Sequence, residues 1–109
     1  MAAPALESLQ KLIGTARDGA LLRYSLGLEY LKLEDAAKAC VHLREAVERD
    51  PGYSAAWRTL GKALESTGDA AGALEAFRSG IAAAHKKGDK QAEKEMTVFA
   101  RRIEKRNAA

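Results

Sequence analysis

The chain matches itself after a shift of 34 residues, and this internal repeat constrains its fold more than any other feature. Identical residues coincide at several points, and where they differ the size and character are kept, as with Leu43 and Phe77. The identical pairs are Leu26 with Leu60, Gly27 with Gly61, Asp35-Ala36-Ala37 with Asp69-Ala70-Ala71, Ala39 with Ala73, and Arg44 with Arg78. A unit of this length that recurs once predicts two copies of one structural element stacked side by side.

Each copy has the pattern of a helical hairpin. In the second copy an apolar face with one glycine recurs at helical spacing, formed by Trp57, Leu60, Gly61 and Leu64. Ala73 and Phe77 lie one turn apart and therefore share one face of a second helix. Gly68-Asp69 separates the two segments. A hairpin of this kind cannot bury both faces alone, so it is expected to pack against its copy.

The order of these residues resembles the tetratricopeptide repeat. In that repeat a tryptophan or its substitute is followed by Leu-Gly and a large apolar residue, and then by alanine, phenylalanine and proline. The resemblance covers about Ala20 to His85. The residues that match the motif are Leu26, Gly27, Tyr30, Ala39, Leu43, Pro51, Trp57, Leu60, Gly61, Leu64, Ala73 and Phe77. Departures are Arg23 in place of the first tryptophan and His85 in place of a second proline. The resemblance implies an all-α solenoid in which Trp57 lies in the core, wedged between successive hairpins.

The predicted architecture is one domain, residues 1–109, with about six helices. A half-repeat helix spans residues 4–18, repeat one 20–53, repeat two 54–87, and a capping helix 89–106. The capping helix lacks the Leu-Gly pair and is charged on its outer side, as the end of a repeat array must be. Gly27 and Gly61 sit inside helices, where glycine costs about 0.5–1 kcal/mol against alanine, so close approach of the partner helix is expected there.

No catalytic constellation is visible, and we expect neither an enzyme nor a cofactor. The single cysteine, Cys40, excludes an internal disulfide and is interpreted as a small buried hydrophobe rather than a reactive thiol. His42 and His85 have no ligand at a spacing typical of a metal site. No Gly-rich phosphate loop or nucleophile elbow is present.

Charge and hydropathy limit the remaining functional classes, which are nucleic-acid binding and membrane association. Residues 86–106 carry eight basic and four acidic side chains, within a chain of net charge +3. A solvated end helix explains this better than nucleic-acid binding, which is the less favoured alternative. No apolar run is long enough to cross a membrane and no leader pattern is visible, so the cytoplasm is the default location.

The first helix of repeat one carries more apolar residues than its own hairpin needs. The excess forms a strip of Leu21, Tyr24, Leu28 and Leu31, and the equivalent positions one repeat later include Arg58 and Lys62. In the tetratricopeptide family the first helices line a concave side that binds peptides or proteins. The resemblance therefore implies a non-catalytic interaction module with this strip and the two cations as its groove.

Two alternatives stay open at this point. The strip could be covered by the N-terminal helix, or it could pack against a second copy in a self-associating adaptor. An apolar strip beyond what the hairpin needs indicates a partner in either case.

Overall fold

The computed structural model describes residues 4–108, and the described chain forms six α-helices. They are α1 (Pro4–Gln10), α2 (Ala20–Lys32), α3 (Ala36–Arg49), α4 (Ser54–Ser66), α5 (Ala70–Lys87) and α6 (Lys90–Ala108). Consecutive helices pack against each other along the whole chain, and α4 also meets α6. The expected all-α solenoid of two hairpins, α2–α3 and α4–α5, flanked by a helix at each end, is confirmed.

Helix boundaries follow from local chemistry. Asp35 and Asp69 cap the second helix of each hairpin, since their carboxylates accept hydrogen bonds from the backbone N–H groups of Lys38 and Gly72. Helix α5 ends at Gly88, whose φ of +75° places it in the left-handed region that favours glycine. Both hairpins therefore turn where the sequence changes from helix formers to turn residues.

The two motif glycines allow the helices of each hairpin to pack closely. A Cβ at Gly27 would lie 2.6 Å from Leu43 Cγ, and a Cβ at Gly61 would lie 2.6 Å from Phe77 Cδ1. Leu43 and Phe77 are completely buried. The expected close approach of the partner helix is present at both positions, and the need for glycine there stays a prediction.

The N-terminal helix is shorter than predicted. A helix over residues 4–18 was expected, but α1 ends at Gln10 and turns follow. Gly14 adopts a φ of +80°, and its N–H donates to the Asp18 carboxylate at 2.9 Å. A left-handed glycine with a side-chain acceptor four residues later favours a turn over continued helix. Leu6 is nonetheless buried, and the Gln10 amide donates to the Tyr30 hydroxyl at 2.9 Å.

Trp57, which was expected in the core between successive hairpins, packs against the core but is not fully buried. Its ring is only partly buried and lies in a groove with Arg44, Gly72 and Ala76. Small residues on α5 leave one edge of the indole in solvent, and the ring N–H donates to the Pro51 carbonyl at 2.8 Å. Trp57 therefore fixes the loop before α4 as well as packing against the core.

Helix α6 closes the C-terminal end of the stack. Met96 and Ile103 are completely buried, and Phe99 packs against Phe77 with ring centroids 5.4 Å apart. A Cβ at Gly80 of α5 would lie 2.8 Å from Trp57 Cβ, and it would also clash with the Met96 sulfur. A third glycine thus brings α5 close to both α4 and α6.

Candidate binding face

The first helices of successive units, α2, α4 and α6, present one continuous side away from α3 and α5. We call this side the inner face. It consists of three rows at helical spacing: Leu21, Tyr24, Leu28 and Leu31 on α2, Ala55, Arg58, Lys62 and Glu65 on α4, and Gln91, Lys94, Val98 and Arg101 on α6.

The α2 row divides into a packed part and an open part. The Tyr24 ring lies 5.0 Å from the Tyr53 ring, centroid to centroid, and Leu31 packs against the core. Leu21 is 70% exposed, and Leu28 borders an open groove. Helix α1 therefore does not cover the open part of the row, which is Leu21 and Leu28.

The two predicted cations of the α4 row face α6. The Arg58 guanidinium pairs with the Glu95 carboxylate at 3.0 Å. The Lys62 ammonium lies 4.8 Å from the centroid of the Phe99 ring, within reach of a cation–π contact. Both cations are thus engaged by their neighbour, a contact that the 34-residue repeat could not reveal.

The α6 row was missed at the sequence level. Buried Met96 and Ala100 lie 36 residues after buried Leu60 and Leu64. This spacing exceeds the internal repeat by two residues, because α5 is longer than α3. At this spacing of 36 residues, Lys94 on α6 is the equivalent of Arg58 on α4. The helical spacing of Ala92, Met96, Phe99 and Ile103 predicted the helix, but not which of its charged residues continue the inner face.

A polar cluster occupies the place of the missing first tryptophan. The Arg23 guanidinium pairs with the Asp18 carboxylate at 2.9 Å and lies 3.2 Å from His42 Nδ1. The hydrogen bond from Arg23 is the main cause that lowers the pKa of Asp18 to about 2. Burial, and then the Arg23 charge, lower the pKa of His42. His42 also stacks on Tyr30, with ring centroids 5.4 Å apart.

The contacts of this polar cluster hold two parts of the fold together. It ties the loop before α2 to α3, because Asp18 also lies 3.7 Å from Arg49. Burial raises the pKa of the Cys40 thiol, which favours the unreactive protonated form. Within residues 4–108 no three potential ligand side chains come together as a metal site would require.

The chain is similar to known proteins over nearly its whole length. The model of the tetratricopeptide repeat family matches residues 30–93. The TPR repeat-containing protein PA0015 of Pseudomonas aeruginosa is 51% identical over 100 residues, which is 92% of this chain and 95% of that protein. The chain belongs to the tetratricopeptide repeat family.

Solved structures of similar proteins agree with this assignment. The solution structure of protein BPP2914 from Bordetella parapertussis matches with a TM-score of 0.80 and 44% identity, over 99% of this chain and 93% of that one. The solution structure of a tetratricopeptide repeat domain protein from Salinibacter ruber matches with a TM-score of 0.74 and 29% identity, over 80% and 88% of the two chains.

Tetratricopeptide repeats generally act as non-catalytic modules for protein–protein interaction, and they typically bind proteins or peptides. Among the described residues of this member, no helix is long and apolar enough to span a membrane.

Proposed function

We propose that this chain binds a segment of a partner protein along the inner face and that Leu21 and Leu28 are the apolar anchors of that contact. The observation that carries the proposal is Leu21, a leucine that is 70% exposed near the start of α2, in the first row of the face. A large apolar side chain held in water gains free energy when a partner covers it, at roughly 25 cal/mol per Å².

The rest of the inner face supports the same reading. Tyr24 and Leu31 give the α2 row a packed base, so that a segment would dock on a surface that is already ordered. Arg58 and Lys62 flank it, and in this proposal they contact the partner through the edges that α6 leaves exposed. Packing of this kind suits an extended or helical segment better than a small molecule.

The test compares peptides selected from a random library by three purified proteins. The variant Leu21→Ser with Leu28→Ser removes the two anchors, while Tyr24 keeps its contact with Tyr53. The matched control is Val41→Ser, which removes another exposed apolar side chain, 60% in solvent, that lies on α3, away from the inner face. Circular dichroism melts verify that all three proteins are folded.

We expect the wild type and the Val41 variant to enrich the same peptides, and the double variant to enrich none of them. Equal enrichment by all three proteins would place the site elsewhere. If the wild type instead forms dimers that the double variant cannot form, as measured by sedimentation, the anchors serve self-association and the proposal is wrong.

A further inference from the structure

We infer that the α6 row selects the partner segment by its charge. Lys94 and Arg101 bind an acidic stretch of the segment, which continues from the apolar part held by α2. The inference rests on the proposed function. It assigns acidic recognition to Lys94 and Arg101 rather than to Arg58 and Lys62, whose charged groups contact α6. The occupant is therefore a protein segment that is apolar at one end and rich in aspartate or glutamate at the other.

The position of the row is fixed by the contacts of its neighbours. Glu95 and Phe99 point towards α4, where they meet Arg58 and Lys62. Met96, Ala100 and Ile103 are buried on the far side of the helix. Lys94 and Arg101 lie opposite that buried side, and both are exposed. By helical geometry they project from the inner face in line with Arg58 and Glu65 of the preceding row.

The charge of the row is uncompensated because the carboxylates of α6 are used elsewhere. Glu95 pairs with Arg58 and Glu104 with Arg78. Glu93 borders the same groove as Lys94 and Arg101, but its carboxylate faces His85 Nδ1 at 3.2 Å and makes no ion pair with either cation. Among the described residues, no carboxylate lies within ion-pairing distance of the basic groups on the solvent side of this helix. These are Lys90, Lys94, Arg101, Arg102 and Lys105. A row of cations without counter-charge attracts an anionic partner.

A polypeptide fits this row better than a nucleic acid does. Val98, which is 48% exposed, lies between Lys94 and Arg101 and corresponds in place to Leu28. A mixed row of cations around an apolar side chain complements acidic residues interspersed with apolar ones. Phe99, the aromatic ring of α6, is partly buried and already contacts Phe77, Lys62 and Arg102, so it is a poor platform on which a base could stack.

The experiment selects peptides from the same random library with the wild type and with Lys94→Glu combined with Arg101→Glu. The control is Lys86→Glu with Lys87→Glu, which makes the same change of charge at exposed positions at the end of α5. A milder variant, Lys94→Gln with Arg101→Gln, provides a second comparison should the reversal disturb folding. A wild-type-selected peptide and a short single-stranded DNA are then titrated against each protein.

We expect peptides selected by the wild type and the control to share apolar residues followed by acidic ones. The reversal variant should keep the apolar preference but exchange acidic for basic residues, and it should bind the wild-type peptide roughly tenfold or more weakly. Apolar enrichment without acidic residues in the wild type would overturn the inference and leave the proposed function standing. No enrichment by the wild type would overturn both. DNA binding that the reversal abolishes, with peptide binding unchanged, would assign the row to nucleic acid and contradict the inference.

Discussion

Replacing Gly61 with alanine should destabilise the protein, although alanine is the better helix former. Helix propensity alone predicts a gain of about 0.5–1 kcal/mol. The new Cβ would lie 2.6 Å from Phe77 Cδ1 and 2.7 Å from Phe77 Cζ, where ordinary van der Waals contacts are 3.4–4 Å. Phe77 is completely buried, so its ring would have to move by close to 1 Å inside a dense core. Overpacking of this kind costs about 1–3 kcal/mol, which leaves a net loss of roughly 0–2.5 kcal/mol.

Urea denaturation of the wild type and Gly61→Ala measures this difference as a shift of the midpoint at unchanged slope. The matched control is Ala82→Gly, which makes the reverse change at an exposed position in α5 and reports propensity alone. We expect both variants to be less stable than the wild type, although propensity predicts opposite signs. A Gly61→Ala protein as stable as the wild type, or more stable, would show that close packing is not the reason for glycine.

Three further outcomes follow from the contacts described above. Trp57→Ala should cost about 2 kcal/mol in urea denaturation, less than the 3–5 kcal/mol of a fully buried aromatic, because one edge of the ring is in solvent. Stability should fall as the pH drops below the ordinary histidine pKa near 6.5, because the pKa of His42 is lowered in the fold and the unfolded chain therefore binds the proton first. His42→Gln should flatten this part of the plot of unfolding free energy against pH. The stability that Asp18 contributes should be complete above its ordinary pKa of 3.8 and be lost as the pH falls towards 2, so Asp18→Asn should remove this acid-dependent loss.

The hairpins could be predicted from the sequence because their packing repeats with a fixed period. Gly27 and Gly61 each face a large residue 16 positions later, Leu43 and Phe77, so one pattern specifies both close approaches. The short α1 could not be predicted in the same way. An apolar stripe indicates which side of a segment is buried, but it does not reveal that the Asp18 carboxylate holds a turn at Gly14.

The first two rows of the inner face could be located from the sequence, but the contacts of the second row and the place of the third could not. Leu21 and Leu28 exceed what α2 needs, and this excess is visible in composition. The engagement of Arg58 by Glu95 depends on how α6 docks, and docking follows the extra length of α5 rather than the repeat. A tertiary contact of this kind between charged residues does not repeat with a period, so a sequence pattern cannot predict it.

The central claim, that a partner segment binds across the inner face, is tested most directly by mapping the contact residue by residue. Backbone amide NMR spectra of the isotope-labelled protein would be recorded as a peptide selected by the wild type is added. We predict shift changes that concentrate on α2, α4 and α6, around Leu21, Leu28, Lys94 and Arg101. Changes that concentrate on α3 and α5, around Val41, would contradict the claim.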